Sequence, residues 1–98
     1  MLVKIHKSYR MAVALCDSEL LGKKFEEGQF QLDLTGSFFK GEEKTGDEVK
    51  EIVQDALRED ATFNVVGQKS CELMKELGVV KNNGIRKIQG VPVVLSLC

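Results

Sequence analysis

A strictly alternating segment behind a glycine constrains the fold of this chain more than any other feature. After Gly28, the apolar residues Phe30, Leu32 and Leu34 alternate with polar residues over positions 29–34. Successive side chains of a β-strand point to opposite faces, so this period of two predicts a strand with one buried face. A strand needs hydrogen-bonding neighbours, and the rest of the chain must therefore supply a sheet.

The segment before the alternating strand has the features of a short helix. Asp17 or Ser18 can accept a hydrogen bond from the free amides of a first turn. Leu21 and Phe25 have the i, i+4 spacing of a helical contact. Gly22 weakens this helix, because glycine loses more backbone freedom on folding than other residues. The sequence therefore predicts a weak helical turn that leads into the strand.

Residues 2–7 and 11–16 have the pattern of two paired strands, and their register follows from which side chains would share a face. A loop over residues 8–10 keeps the large apolar side chains of both strands together, whereas a two-residue loop mixes them with lysine and histidine. We therefore expect a hairpin with the three-residue loop. Its cross-strand pairs are Val3 with Leu15, Ile5 with Val13, Lys4 with Ala14, and His6 with Ala12.

Positions 45–57 predict the most regular helix. Thr45 and Glu48 have the spacing of a capping box, in which each side chain accepts a hydrogen bond from the other residue's backbone amide. The apolar residues that follow recur at i, i+3, i+4, i+7 and i+8, the pattern of a helix with one buried face. These residues are Val49, Ile52, Val53, Ala56 and Leu57.

The last third of the chain contains a second helix and two more strands. Residues 62–66 fit either a strand or the lead-in to that helix, because Gly67 leaves the junction ambiguous. The helix ends at Gly78, where a glycine can adopt the left-handed conformation. The remaining elements are a turn at 82–84, strands at Ile85–Ile88 and Val91–Leu97, and Pro92 at a strand start or a sheet edge.

These elements predict an α+β fold in a single domain over residues 1–98. We expect a mixed or mainly antiparallel sheet with two main helices packed on one face. The sheet would combine the N-terminal hairpin, the 29–34 strand and the C-terminal strands.

Charge is distributed unevenly along the chain. Residues 42–60 hold eight acidic and three basic residues, although the formal net charge is only −1. The remainder carries seven acidic and eleven basic residues, and only this part would suit an anionic partner. No apolar run reaches the ~20 residues of a membrane span. Charged residues interrupt the apolar ones before Cys16, unlike in a secretory signal, so we expect a cytoplasmic protein.

The sequence offers no set of residues for catalysis, a metal or a cofactor. His6 is the only histidine, and the cysteines Cys16, Cys71 and Cys98 are odd in number and widely spaced. This spacing fits neither a disulfide framework nor a zinc motif, so we expect reduced, mostly buried thiols. In the expected hairpin, His6 lies about 13 Å from Cys16 along the strands, too far for a nucleophilic pair. These features favour a role without catalysis.

The junction at Asn64, Gly67 and Gln68 is the candidate ligand site. Backbone amides at the start of a helix can hold an anion, and a glycine there allows close approach. An isolated glycine is far short of a phosphate-loop motif, and Asn64 more often bonds its local backbone in a turn. Two interpretations of this junction stay open at this point: a site for a small anionic ligand, and a purely structural turn.

Two adjacent aromatic residues are the candidate partner surface. Phe38 and Phe39 could stack bases or contact a protein, with Lys40 and Lys44 nearby for phosphates. The same aromatics could instead anchor their loop, and the two glutamates of the loop would repel a nucleic acid. A basic rim would form elsewhere if the hairpin and the C-terminal strands adjoin, from Arg10, Lys81, Arg86 and Lys87.

The chain also resembles a known family. The shared motifs are LLGKKFEEG at 20–28, the alternating strand, the amphipathic helix, N-x-V-G at 64–67 and G-V-P at 90–92. In this order, and over nearly the full length, they are similar to small, mainly archaeal proteins of domain-of-unknown-function family 424. The resemblance implies a compact α+β domain in an archaeal cytoplasm and assigns no activity. Phe63 departs from the family pattern, which has a small residue there.

The leading hypothesis is a non-catalytic binding module for RNA or a ribonucleoprotein of the translation machinery. It rests on the family resemblance, the basic remainder of the chain and the lack of a catalytic set. One alternative is a protein-interaction subunit or homodimer that uses the Phe38 and Phe39 loop. Another is a small anionic-ligand site at Asn64–Gly67.

Overall fold

A six-stranded sheet carries two helices on one face and a separate two-stranded hairpin on the other. The computed structural model describes residues 1–97, except for the side chains of residues 82, 96 and 97. The elements in chain order are β1 (Leu2–His6), β2 (Ala12–Cys16), a 3-10 turn (Ser18–Leu20), β3 (Lys24–Glu27), β4 (Phe30–Asp33), β5 (Glu42–Glu43), α1 (Gly46–Arg58), β6 (Thr62–Val66), α2 (Gln68–Glu76), a second 3-10 turn (Asn82–Gly84), β7 (Arg86–Ile88) and β8 (Val91–Leu97).

The main sheet has the strand order β5-β1-β2-β6-β8-β7. β2 and β6 run parallel, and the other neighbouring strands of this sheet are antiparallel. The predicted α+β class, with a mainly antiparallel mixed sheet, is therefore confirmed. Residues 62–66 form β6, so the ambiguous segment is a strand and not the lead-in to α2.

The N-terminal hairpin has the predicted register. Val3, Val13 and Leu15 belong to the core beneath the helices, while Ile5 on the same face is 42% exposed. The other face carries lysine and histidine on β1 opposite alanines on β2. Keeping the apolar groups together therefore selects the register. The observed pairs are Val3 with Leu15, Ile5 with Val13, Lys4 with Ala14, and His6 with Ala12.

Both helices bury their apolar sides on the same face of the sheet, as expected. Thr45 and Glu48 form the predicted capping box, with bonds of 3.0 and 3.2 Å between each side chain and the other residue's amide. Bonding to the Thr45 amide and hydroxyl lowers the pKa of Glu48. Leu57 is exposed and not buried as predicted, because it lies at the margin of the apolar stripe. The buried residues of α1 are Val49, Val53 and Ala56.

α2 ends at the predicted glycine. Gly78 has a φ of 75°, and its amide donates to the Lys75 carbonyl at 3.0 Å. The Val79 amide donates to the Met74 carbonyl at 3.0 Å. This pair of bonds is the Schellman arrangement, which satisfies carbonyls that the helix leaves free. Pro92 is the second residue of β8, near the strand start as predicted.

The segment around Gly28 forms a hairpin of its own, which corrects two predictions. The expected helix is only the 3-10 turn at Ser18–Leu20, and residues 24–27 form β3. β4 pairs with β3 and not with the main sheet. Gly28 has a φ of 61° in the two-residue loop between them, where tight hairpin turns require positive φ. Pairing the two segments satisfies more backbone groups than a short helix weakened by Gly22.

This hairpin covers the second face of the sheet. Leu32 of β4 packs there, together with Leu34 and Phe39, against the residues of the central strands that the helices do not reach. The alternating strand therefore has the predicted buried face at Leu32 and Leu34, but Phe30 is 46% exposed and not buried as predicted. As a result, the central strands are buried on both faces, at the consecutive residues Val65 and Val66 of β6 and Val93 and Val94 of β8.

Gly41 sets how closely the chain before β5 approaches β1. A Cβ at this position would lie 2.1 Å from the Val3 carbonyl oxygen. We expect Gly41→Ala to lower the free energy of unfolding by about 1–3 kcal/mol, because the β1 backbone cannot shift without loss of strand pairing. Urea denaturation followed by circular dichroism measures the change.

Gly36→Ala is the matched control. A Cβ at Gly36 meets nothing within 4 Å. This variant should be neutral or should stabilise the protein by less than about 1 kcal/mol, through reduced freedom of the unfolded chain. Equal stability of the two variants would contradict the close approach at Gly41.

Candidate functional site

The ends of β2 and β6 place a buried carboxylate at the start of α2. These strands are parallel neighbours, and the Asp17 amide donates to the Val66 carbonyl at 3.0 Å. The Asp17 carboxylate accepts hydrogen bonds from the Lys69 amide at 3.0 Å, and from the amide and hydroxyl of Ser70 at 2.8 and 2.7 Å. Asp17 is only 3% exposed. Two free amides of the first helical turn are thus bound to a carboxylate of the chain itself.

The Asp17 side chain leaves room only for a glycine at position 67. A Cβ on Gly67 would lie 2.3 Å from Cγ of Asp17, and the φ of 113° is one that other residues rarely adopt. The Gly67 amide donates to the Pro92 carbonyl at 2.9 Å. The close approach that the sequence predicts at this glycine is therefore made by a side chain of the protein.

The other two residues of the predicted ligand site make different contacts. Asn64 is half-buried in β6, opposite Ala14. Gln68 is exposed, and its side-chain amide donates to the Glu72 carboxylate at 2.7 Å. Ligand binding by Asn64, Gly67 and Gln68 stays a prediction, and it would have to use groups other than the two amides that Asp17 occupies.

Two cysteine thiols are buried next to backbone carbonyls. Cys16 Sγ donates to the Asp17 carbonyl at 3.2 Å, and Cys71 Sγ lies 4.0 Å from the Val65 carbonyl. Both thiols are free, and burial raises the pKa of each to about 11, with the Asp17 charge adding to the effect. A nucleophilic thiolate needs the opposite environment. Cys98, the third predicted thiol, lies outside the described residues.

The histidine contacts the aromatic loop. His6 Nε2 lies 2.9 Å from the Phe38 carbonyl oxygen, and the two rings stack with centroids 4.4 Å apart and 11° between their planes. Phe38 meets Phe39 edge-on at 5.0 Å. Phe39 is only 6% exposed, whereas Phe38 is 43% exposed. The two candidates therefore differ, because Phe39 anchors the loop and Phe38 presents its ring to solvent.

A groove lined with lysines lies at the same edge of the sheet. It has a volume of about 670 Å³ and is bounded by β1, α1 and residues 40–44. The lysines among its lining residues are Lys4, Lys40 and Lys44, and its apolar wall comes from β1 and α1. We call the exposed Phe38 ring and these three lysines the Phe38 edge.

The two glutamates at this edge are each held by a cation. The Lys44 ammonium lies 3.2 Å from the Glu42 carboxylate. The Glu43 carboxylate binds the N-terminal ammonium of Met1 and the Ser18 hydroxyl, and these bonds lower the pKa of Glu43. The other two groove lysines form no ion pair with a described residue. The edge therefore keeps an excess of positive charge.

The structure does not bring the predicted basic rim together. β6 and β8 lie between the N-terminal hairpin and β7. Arg10 instead contacts Asp60, donating to its carbonyl at 3.1 Å and pairing with its carboxylate at 3.5 Å. Arg86 and Lys87 follow each other on β7 and so lie on opposite faces, and Lys81 is exposed before this strand.

Comparison with known families and structures agrees with this architecture. Residues 6–96 match the family described as Protein of unknown function (DUF424). The chain belongs to this family. A crystal structure of an uncharacterized conserved protein from Methanopyrus kandleri has the same fold as this DUF424 chain, with a TM-score of 0.84 and 25% identity over 95% of this chain and 86% of that one. No curated protein matches the chain. The resemblance drawn from the motifs is thus confirmed.

The described residues contain neither a membrane-spanning helix nor a cluster of metal ligands. No helix there is long and apolar enough to cross a bilayer. Within the same residues, no group of three or more His, Cys, Asp or Glu side chains is arranged to hold a metal ion.

Removal of the Asp17 carboxylate should destabilise the protein strongly. Asp17→Ala leaves the two buried donors of Ser70 and the partly buried Lys69 amide without an acceptor, at an expected cost of about 3 kcal/mol or more. Urea denaturation measures this cost. Asp47→Ala, an exposed acid in the first turn of α1, is the matched control and should cost less than about 1 kcal/mol. A similar loss in both variants would contradict the role of Asp17.

The buried thiols should lower stability as the solution becomes alkaline. In the unfolded chain the thiols release protons near pH 9.0, whereas in the folded protein Cys16 and Cys71 hold them to about pH 11. Because the unfolded state binds fewer protons in this window, the free energy of unfolding falls as pH rises through it. The measurement compares wild type with Cys16→Ala/Cys71→Ala, which isolates the contribution of the two thiols. If the difference in free energy of unfolding between these two proteins stays constant across this pH range, the effect is refuted.

Proposed function

We propose that this DUF424 protein is a non-catalytic RNA-binding module that uses the Phe38 edge. The observation that carries the proposal is an exposed aromatic ring fixed against His6, at a sheet edge that also carries Lys4, Lys40 and Lys44. An unpaired base would stack on Phe38, while lysine ammonium groups contact the neighbouring phosphates. This combination of stacking and backbone contacts is common in proteins that bind single-stranded nucleic acids.

The packing of Phe38 supports base stacking. Its ring lies against His6 on one side and meets Phe39 edge-on, so its orientation is set before any ligand arrives. A preformed ring reduces the entropy lost on binding. Since every base has a π face, stacking on Phe38 would select unpaired nucleotides without selecting a sequence.

The charges at the Phe38 edge support phosphate binding. Lys4 and Lys40 form no ion pair with a described residue, while Lys44 neutralises Glu42. Glu43 is occupied by the N-terminal ammonium. The two glutamates that would repel RNA are therefore offset, and the free lysines can release counterions from bound phosphates.

A protein-interaction surface built on both aromatics has less support. Phe39 is buried, so the loop offers one exposed ring in place of two. A single ring covers far less than the roughly 800 Å² per partner of a stable protein interface.

Fluorescence anisotropy with a labelled single-stranded RNA, measured across a salt series, tests the proposal. With two or three lysines in contact with phosphates, the slope of log affinity against log salt concentration should be about −1.4 to −2.1. Phe38→Ala should weaken binding by roughly tenfold or more, the usual effect of losing one stacked base. Lys40→Gln should make the slope less steep, by less than about one unit.

Two variants are matched controls. Phe30→Ala removes an equally exposed phenylalanine from the hairpin, and Lys81→Gln removes an exposed lysine from outside the groove. Both should bind RNA like wild type. Absence of binding at low salt would remove the proposal, and equal losses in Phe38→Ala and Phe30→Ala would remove the Phe38 edge as the site.

A further inference from the structure

A second concave site lies between the hairpin and the opposite end of the sheet. This cleft has a volume of about 330 Å³ and lies between β4, β7 and β8. Such a volume suits a small organic molecule. Its lining includes Phe30, Gln31, Arg86, Ile88, Val93 and Leu95.

Some of the apolar side chains that line the cleft are partly exposed to solvent. Phe30 continues the buried face of Leu32, and Leu95 continues the buried face of Val93. Leu32 and Val93 are almost fully buried, yet Phe30 is 46% and Leu95 53% exposed. Two large apolar side chains on faces that are elsewhere covered therefore border the same open cleft. An apolar ligand would remove them from water.

Arg86 gives this apolar cleft a single cation. Its guanidinium carbon lies 4.1 Å from the centroid of the Phe30 ring. Stacking holds the guanidinium plane and leaves its N–H groups available to another molecule. In the described part of the chain, no carboxylate forms a salt bridge with Arg86. The geometry of a guanidinium suits bidentate binding of a carboxylate.

We propose that this cleft binds a small monocarboxylate with an apolar body. The apolar part would lie between Phe30 and Leu95, and the carboxylate would bind Arg86. One guanidinium neutralises one negative charge, and no other cationic side chain lines the described cleft. A phosphate dianion would therefore be only half compensated, which favours a carboxylate. The site is independent of the Phe38 edge.

Chemical-shift perturbation in ¹⁵N-labelled protein tests the site with three probes of similar shape. Phenylacetate should bind saturably and shift the amides around Arg86 and Leu95. Phenylacetamide, which lacks the charge, should bind about tenfold more weakly or worse, as expected when a charged hydrogen bond is lost. Phenyl phosphate should also bind more weakly than phenylacetate. Equal binding of acid and amide, stronger binding of the phosphate, or no saturable binding at millimolar concentration would overturn the proposal.

Variants on β7 and β4 locate the site. Arg86→Gln should weaken phenylacetate binding by about tenfold or more. Lys87→Gln removes the next cation along β7, on the opposite face of the strand, and should leave binding unchanged. Phe30→Ala should weaken phenylacetate binding without affecting RNA, while Phe38→Ala should do the reverse. Equal effects of Arg86→Gln and Lys87→Gln would show that charge alone attracts the probe and would refute the cleft.

Discussion

The bond between the Asp17 carboxylate and the first turn of α2 is the constraint on which the centre of this structure depends. It joins the end of β2 to the start of the helix that follows β6, across 52 and 53 residues of chain. It also explains why Gly67 follows β6, because any Cβ there would overlap the carboxylate. A buried carboxylate is tolerated at this position because the amides and the Ser70 hydroxyl replace the water that it loses.

Burial of the sheet on both faces decides where a partner can bind. The helices take one face of the central strands, and the β3–β4 hairpin with Phe39 takes the other. The surfaces on which a partner can bind therefore lie at the edges of the sheet. The Phe38 edge lies beside β1, and the Arg86 cleft lies where the hairpin leaves β7 and β8 uncovered. Each of these two sites has an exposed aromatic ring, but the Phe38 edge has three lysines, whereas the described cleft has Arg86 as its one cation.

Local patterns predicted the parts of the fold that depend on local physics. The hairpin register follows from the apolar faces of β1 and β2, and the capping box at Thr45 and Glu48 follows from their spacing. The prediction for residues 24–27 was wrong because the spacing of Leu21 and Phe25 is ambiguous. It fits one face of a helix, and it fits equally well an extended chain that leads into a hairpin. Whether β4 joined the main sheet depended on long-range pairing that the alternation does not encode.

The candidate site was predicted only in part, for the same reason. The sequence identified Gly67 as a position of close backbone approach, and Phe38 and Phe39 as a candidate partner surface. It did not reveal that Asp17 supplies the anion, since that requires knowing that β2 and β6 are parallel neighbours. Nor did it reveal which aromatic is exposed, because burial of Phe39 depends on how the loop packs against the second face.

Native-state hydrogen exchange at Lys69 and Ser70 tests the central claim most directly. Amides in the first turn of a helix have no intrahelical acceptor and normally exchange quickly, as the Asp47 amide of α1 should. If Asp17 holds the start of α2, the Lys69 and Ser70 amides should exchange only through global unfolding, as slowly as the amides of β6. Exchange at Lys69 and Ser70 as fast as at Asp47 would contradict the account.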